Sequence, residues 1–240
     1  AVALSGGKDS FALLRLLSLL QRKSPTRFDL VAVTVHNGSE GFRWDLMEAY
    51  LRREGCPFHL ERTEIVDVVE EKRRPGSSHC SLCARLRRGA LYGAALSLGC
   101  DKLALGHHLD DAVETLLMNL FFEGSLRAMP PKLLAENGRV SVIRPLLYVP
   151  ESMLSDYARE RGFPIVGCGC WLCGERRQER ARMKALVSEI AGRCPAARRS
   201  ALAALTRLDP RFLMDPRWHD FEMEEAPRGA LDRRRAGTPL

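Results

Sequence analysis

The chain has 240 residues, 45% of them hydrophobic and 28% charged, with a formal net charge of +7. That length and composition exclude a disordered chain and a disulfide-stapled mini-protein, because a core of ordinary size can form. No apolar run reaches the ~20 residues that a membrane-spanning helix needs, so no membrane partner is expected.

Eight cysteines without a secretory leader point to a reducing cytoplasm, where clustered cysteines bind metal more often than they form disulfides. The basic balance suits a polyanionic partner such as nucleic acid, and equally plain solubility. The first residues, AVAL, already read as a strand, and no methionine precedes them, so residues before Ala1 are expected.

Residues 1–4 form a short apolar strand, residues 5–10 (SGGKDS) a turn, and the helix that follows carries Leu13, Leu16, Leu17 and Leu20 on one stripe. Residues 28–36 are rich in β-branched side chains and end at Asn37-Gly38, the pattern of a buried strand. A helix is expected over 43–54 and a more peripheral strand from Pro57 through PFHLER. After the polar stretch closing in RRPGSS, a helix over 81–98 and a strand over 102–106 are expected. Val113, Leu116, Leu117, Leu120 and Phe121 then recur at the spacing of an amphipathic helix lying on a sheet.

Between 124 and 145 the pattern loosens, and Pro130-Pro131 forbids helix, so a long loop near the site is expected. Helices follow over 150–161 and 175–192, with a cysteine-rich stretch at 168–173 between them. No internal repeat is present, and the tail from Glu222 is polar and expected to be mobile. Strands alternating with helices imply right-handed parallel crossovers, hence an α/β fold with a doubly wound, mostly parallel sheet and a helical C-terminal extension. The expected divisions are 1–150, 151–221 and the tail 222–240.

Three constellations carry chemistry. Ser5, Gly6, Gly7, Lys8, Asp9 and Ser10 place two glycines between a strand and a helix, where amides, helix dipole and the Lys8 charge would hold phosphate. Asp9 beside a phosphate calls for a bridging Mg²⁺, although a capped glycine turn would explain a generic Gly-Gly. The stretch GHHLDDAVE at 106–114 begins at the rim of the ligand crevice. There Asp111 and Glu114 resemble a helix-capping box, yet His107 and His108 before Asp110 and Asp111 exceed what a cap needs.

Finally, Cys80 and Cys83 form one C-x-x-C, and Cys170 and Cys173 another, beside Cys168. Four thiolates would make a closed zinc site, whereas three would hold an iron-sulfur cluster with one iron open, and spacing does not choose between them. Cys56, Cys100 and Cys194 are isolated and expected to be buried apolar fillers. Arg85, Arg87 and Arg88 follow the first cysteine pair, and Arg176, Arg177, Arg180, Arg182 and Lys184 follow the second, two arrays suited to a nucleic-acid backbone.

SGGKDS after the first strand resembles the signature of the PP-loop ATP pyrophosphatases, enzymes with an adenine nucleotide alpha hydrolase-like fold, and GHHLDD resembles their second element. CSLCARLRRGALY, ALGHHLDDAVETLLMNLFF, MPPKLL, IRPL and FPIVGCGCWLCG, in that order, resemble the TtcA family of tRNA 2-thiocytidine synthetases over nearly the whole chain. The resemblance implies ATP-dependent 2-thiolation of cytidine 32 in the tRNA anticodon loop. ATP would bind through residues 5–10 with Gly106 and His107, and a [4Fe-4S] cluster on Cys80, Cys83 and Cys173 would deliver sulfur to the adenylated C2.

It further implies Mg²⁺ on Asp9 and Asp111, catalytic roles for Asp110, Asp111 and Arg87, a cysteine desulfurase as sulfur donor, and a homodimer. This sequence departs from the family pattern in His36-Asn37, where an aspartate is expected, and in Cys168-Gly169 and Trp171 of the second cysteine stretch. The alternatives are a zinc-bearing PP-loop ligase that joins ammonia or an amine to an adenylated substrate, and a non-catalytic nucleic-acid-binding module with a zinc clamp.

Overall fold

The computed structural model describes residues 1–39, 41–72, 79–135, 138–167 and 175–214. Six strands form one sheet in the order β3-β2-β1-β4-β6-β5. They are β1 (Val2–Ala3), β2 (Ala32–His36), β3 (Phe58–Arg62), β4 (Lys102–Ala104), β5 (Lys132–Leu134) and β6 (Ser141–Ile143). All neighbours are parallel except β5, which runs antiparallel to β6 with Lys132 opposite Ile143. The doubly wound, mostly parallel sheet read from the sequence is therefore present.

The helices are α1 (Lys8–Gln21), α2 (Trp44–Arg53), α3 (Ile65–Glu71), α4 (His79–Ser97), α5 (Leu109–Phe122), α6 (Glu151–Arg161), α7 (Glu175–Arg193) and α8 (Ala197–Ala204). One compact unit spans Ala1–Ala203. A second spans Ala204–Leu240, and its described part holds a 3₁₀ turn at Pro210–Phe212. The tail expected to be mobile lies outside the described residues.

Two layers of side chains cover the sheet. In the first, α1, α2 and α6 pack Phe11, Leu13, Met47, Leu51, Leu154 and Ala158 against Val2 and Ala32. In the others, α4 packs Leu91 and Leu96 against Leu103, Val140 and Val142, and α3 adds Ile65 and Val69 against Val35. β2 is buried from Ala32 to Val35, which is why it reads as an unbroken apolar run. Its one hydroxyl, Thr34 Oγ1, donates to the Leu4 carbonyl at 2.9 Å.

Three expectations change. Residues 124–145 are not one loop, since they contain β5 and β6, and β6 is an interior strand of only three residues. The α1 stripe is shifted: Phe11, Ala12, Leu13 and Leu14 are buried, whereas Leu16 and Leu20 are 38% and 53% exposed. The first half of α1 is enclosed by sheet and α6 together, so its apolar residues go all round rather than along one face. On α5, likewise, Val113 and Leu116 are buried, but Leu120 and Phe121 are exposed.

Phe11 is fully buried and stacks on Phe163 at 5.7 Å, with Tyr50 edge-on at 5.2 Å. Phe11→Ala is expected to cost about 3–5 kcal/mol. In equilibrium urea unfolding this would appear as a lower midpoint with an unchanged slope.

Candidate active site

The strand order reverses between β1 and β4, and such sheets bind ligands beyond the carboxyl ends of the strands at that point. Two loops meet there, one between β1 and α1, the other between β4 and α5. A Cβ on Gly106 would lie 3.1 Å from the backbone of Asp9 and Ser10. The second loop therefore packs directly on the first turn of α1.

Gly6 has φ +88°, and a Cβ there would sit 2.8 Å from the Val166 carbonyl. Gly7 caps α1 without any side-chain bond, and the first helical hydrogen bond is Phe11 N to the Gly7 carbonyl. The amides of Lys8, Asp9 and Ser10 precede that bond and, with the helix dipole, face an anion site. Ser10 Oγ donates to the Gly7 carbonyl at 2.8 Å, and Ser5 Oγ accepts from Gly7 N at 3.4 Å, so the two serines brace the loop.

Among the described residues, two buried polar atoms at this edge, Asp9 Oδ1 and Asn37 Nδ2, have no hydrogen-bond partner. Asn37 directly follows β2, the neighbour of β1. An orphaned carboxylate oxygen suits a divalent cation, and an orphaned amide donor suits a nucleotide acceptor. The glycine cradle, the helix amides and these two atoms fit ATP with Mg²⁺.

At α5 the capping box is His108 with Asp111, one turn earlier than the expected Asp111 and Glu114. Asp111 N donates to His108 Nδ1 at 3.3 Å, and Asp111 Oδ2 accepts from His108 N at 3.1 Å. His108 Nε2 lies 3.4 Å from Asp111 Oδ2 and 3.9 Å from Asp9 Oδ2, so one buried imidazole joins the two carboxylates expected to bind Mg²⁺. His107 is kept neutral: burial, with the Arg144 and Arg180 charges, outweighs Asp111 and lowers its pKa to about 4. Arg144 Nε donates to His107 Nδ1 at 3.3 Å.

Both oxygens of Asp110 are engaged inside the protein. Oδ2 accepts from Glu151 N at 2.8 Å, and Oδ1 pairs with Arg198 Nε at 2.5 Å. Asp110, expected as a catalytic carboxylate, ties α5 to α6 and α8 through these contacts. Arg87 is partly buried on α4 and takes no part in these ion pairs. Of the α4 arginines, Arg88 is the one whose charge reaches this cluster, lowering the pKa of Arg144 after burial has done so.

The basic run on α7 behaves differently from its sequence reading. Arg180 Nε pairs with Glu114 Oε2 at 3.0 Å, its Nη2 reaches Thr115 Oγ1 at 3.3 Å, and Lys184 Nζ pairs with Glu151 Oε2 at 2.6 Å. Burial raises the Glu114 pKa in spite of Arg180. Glu151 Oε1 also accepts from Lys8 Nζ at 3.0 Å, and Lys8 touches Asp9 Oδ2 at 3.0 Å. Burial opposes the charges of both groups, but contacts with Glu151 and Asp9 raise the Lys8 pKa, and contacts with Lys184 and Lys8 lower that of Glu151 to about 2.

Cys80 and Cys83 are one turn apart in the first turns of α4. Cys83 is partly buried against the cluster of Val35, Ile65 and Val69, and Val35 stands near the carboxyl end of β2. One thiol of the first pair, that of Cys83, therefore lies near the carboxyl edge of the sheet. Cys168, Cys170 and Cys173 lie outside the described residues. Both flanks of their stretch are tied to the site, since Val166 N donates to the Gly6 carbonyl at 2.9 Å and α7 carries Arg180 and Lys184. A cysteine thiolate is the donor type that iron-sulfur clusters take, and Cys83, the expected ligand whose side chain is described, suits that chemistry.

A PP-loop domain model matches residues 1–166. The tRNA-cytidine(32) 2-sulfurtransferase of Geobacter sulfurreducens is 55% identical over 215 residues, 90% of this chain and 84% of that protein. The chain belongs to the tRNA-cytidine(32) 2-sulfurtransferase family. The member from Syntrophotalea carbinolica is 52% identical over 221 residues, 92% of this chain and 85% of its own. The U34-tRNA thiolase NcsA from Methanococcus maripaludis, solved with its [4Fe-4S] cluster, shares the fold. Its TM-score is 0.65 at 24% identity, covering 87% of this chain and 72% of that one.

For a family member, the residues that sequence reasoning missed are Glu114, Arg144, Glu151 and Arg198. Arg144 stands in the quoted IRPL and Glu114 in GHHLDDAVE, so a signal existed for both. Glu151 and Arg198 lie outside every motif and meet the site only through folding.

Gly6→Ala forces a Cβ into a backbone carbonyl at a left-handed φ and is expected to destabilise by about 1–3 kcal/mol. Gly7→Ala, whose Cβ meets only Ser5 Oγ at 3.5 Å, is expected to stay within about 1 kcal/mol. Thermal melts of the two variants check the contrast.

Glu151 generates a pH dependence. Its folded pKa is depressed from the ordinary 4.5 to about 2, so its stabilisation is complete above 4.5 and fades as pH falls through that window. Urea midpoints taken across the window should fall for the wild type and fall less for Glu151→Gln.

Proposed function

We propose that this chain is an ATP-dependent sulfurtransferase that replaces the C2 oxygen of cytidine 32 in tRNA with sulfur. The observation that carries this reading is the glycine cradle with Asp9 and a cysteine of the first pair at one sheet edge, in a chain that shares half its residues with a tRNA-cytidine(32) 2-sulfurtransferase over 90% of its length. Residues 1–150 supply the nucleotide chemistry, and 151–221 supply the second cysteine stretch and its anchoring helix.

The α1 amides and Lys8 hold the phosphates, while Asp9 and Asp111 would hold Mg²⁺, which would neutralise phosphate charge there. The C2 oxygen attacks the α-phosphorus of ATP, and pyrophosphate leaves into the cradle. AMP then departs with that oxygen as sulfur takes its place. Cys80, Cys83 and Cys173 hold a [4Fe-4S] cluster, which when bound supplies a metal site able to carry sulfur. His107, kept neutral and oriented by Arg144, lies beside the nucleotide without adding charge. Asp110 positions the elements around it, and Arg85 and Arg88, exposed and three apart on α4, face the tRNA backbone.

A cysteine desulfurase supplies the sulfur in this reading, the chain works as a homodimer, and the compartment is the cytoplasm. Among the described residues no helix is long and apolar enough to cross a membrane.

Nucleoside mass spectrometry of tRNA tests the proposal. A strain lacking the gene should lose 2-thiocytidine, and the wild-type gene should restore it. Cys83→Ser and Cys173→Ser should fail to restore it and should purify anaerobically without iron-sulfur absorbance, whereas Cys170→Ser should keep much of both. Lys8→Met should fail to restore the nucleoside while retaining the absorbance. Unchanged 2-thiocytidine in the deletion strain, or a colourless wild type holding stoichiometric zinc, would overturn the reading.

A further inference from the structure

Glu151 carries one negative charge and serves two ammonium groups from distant parts of the chain. Its Oε1 accepts from Lys8 Nζ at 3.0 Å, and its Oε2 from Lys184 Nζ at 2.6 Å. It is the first residue of α6, and its amide is held by Asp110 Oδ2 at 2.8 Å, so the carboxylate has a fixed origin. Its side chain is 21% exposed, against 52% for Lys184. Lys8 belongs to the glycine loop, and Lys184 to α7, the helix that starts two residues after Cys173.

The arrangement sets up a competition. An anion at the amides of α1 draws on the Lys8 ammonium, two of whose three donors serve Asp9 and Glu151, so every phosphate contact beyond the one remaining N–H is taken from one of those carboxylates. As Lys8 withdraws, Glu151 is left with Lys184 alone, and that pair is no longer weakened by the nearby positive charge. We infer that Glu151 is a positioning residue that couples nucleotide binding at Lys8 to the docking of α7. The inference rests on the reading of residues 5–10 as a nucleotide cradle.

Coupling of this kind is reciprocal. If ATP strengthens the Glu151–Lys184 pair, Lys184 must favour ATP, because it draws Glu151 away from Lys8. The signs are therefore fixed. Loss of the Glu151 charge releases Lys8 and tightens ATP binding, while loss of Lys184 leaves Lys8 more firmly held and loosens it. A purely structural role for Glu151 would give the opposite sign for the first change, because a disturbed α6 would weaken the site.

The test is ATP titration calorimetry on the full-length, cluster-loaded protein, with hydrogen exchange of the α7 amides with and without ATP. Wild type, Glu151→Gln, Lys184→Met and the double variant are compared, after melts show that each is folded. Glu151→Gln should bind ATP about fivefold more tightly and Lys184→Met about fivefold more weakly, the lower end of typical coupling between sites. In the Glu151→Gln background, Lys184→Met should change affinity by less than about twofold, because the pair it acted through is gone. ATP should slow α7 exchange in the wild type and in neither single variant.

Additive changes, unchanged or weaker ATP binding by Glu151→Gln, or ATP protection of α7 that survives in that variant would each overturn the coupling while leaving the nucleotide reading intact. A wild type that binds no ATP would overturn the nucleotide reading and the coupling with it.

Discussion

The structure is organised by one close approach, that of the loop before α5 to the first turn of α1. Only at Gly106 can the two backbones come this near, since a Cβ would meet Asp9 and Ser10 at 3.1 Å. The consequence is electrostatic as well as steric. Two helix N-termini open onto the same crevice, and each favours negative charge by roughly 0.3–1 kcal/mol within its first turn. The chain answers with Asp9 on α1 and Asp110 and Asp111 on α5.

Carboxylates gathered in this way repel one another unless cations stand between them. That is the work of Lys8, Arg180, Lys184 and Arg198, three of which come from the last two helices of the compact unit. The apolar core fixes the sheet, and α7 and α8, which bury Val187 and Leu202, are held on its carboxyl edge by charge as well. Docking that depends on charge responds to any ligand that changes it, whereas docking through a packed apolar seam does not. Among the described residues Asp9 Oδ1 still has no hydrogen-bond partner after all these contacts, which makes a further positive charge favourable there.

Much of this was legible before folding. Residues 5–10, 106–111 and the strands and helices that flank them follow from periodicity and turn chemistry, because local spacing decides them. β6 was not legible, since the five residues between Gly138 and an Arg-Pro pair give too short an alternation to stand out, and its place between β4 and β5 makes it a strand. α3 begins Ile-Val-Asp-Val-Val and is helical against its β-branched composition, because Ile65 and Val69 then both reach Val35. Glu151 could not be found by motif at all. Its importance comes from Lys8, 143 positions away in the chain, and no window of sequence holds both.

The least dependable sequence signal was positive charge. The run after the second cysteine pair has the composition of a nucleic-acid surface, yet Arg180 and Lys184 turn inward to Glu114 and Glu151. Net charge counts these residues as available when folding has already neutralised them. Arg85, Arg88 and Arg182 are exposed and enter none of the ion pairs of the site. Each phosphate such a residue neutralises adds roughly 0.7 to the salt slope of binding to a single strand. An RNA-facing arginine and a clamp arginine therefore differ in kind: losing the first changes how binding responds to salt, and losing the second changes how α7 sits on the protein.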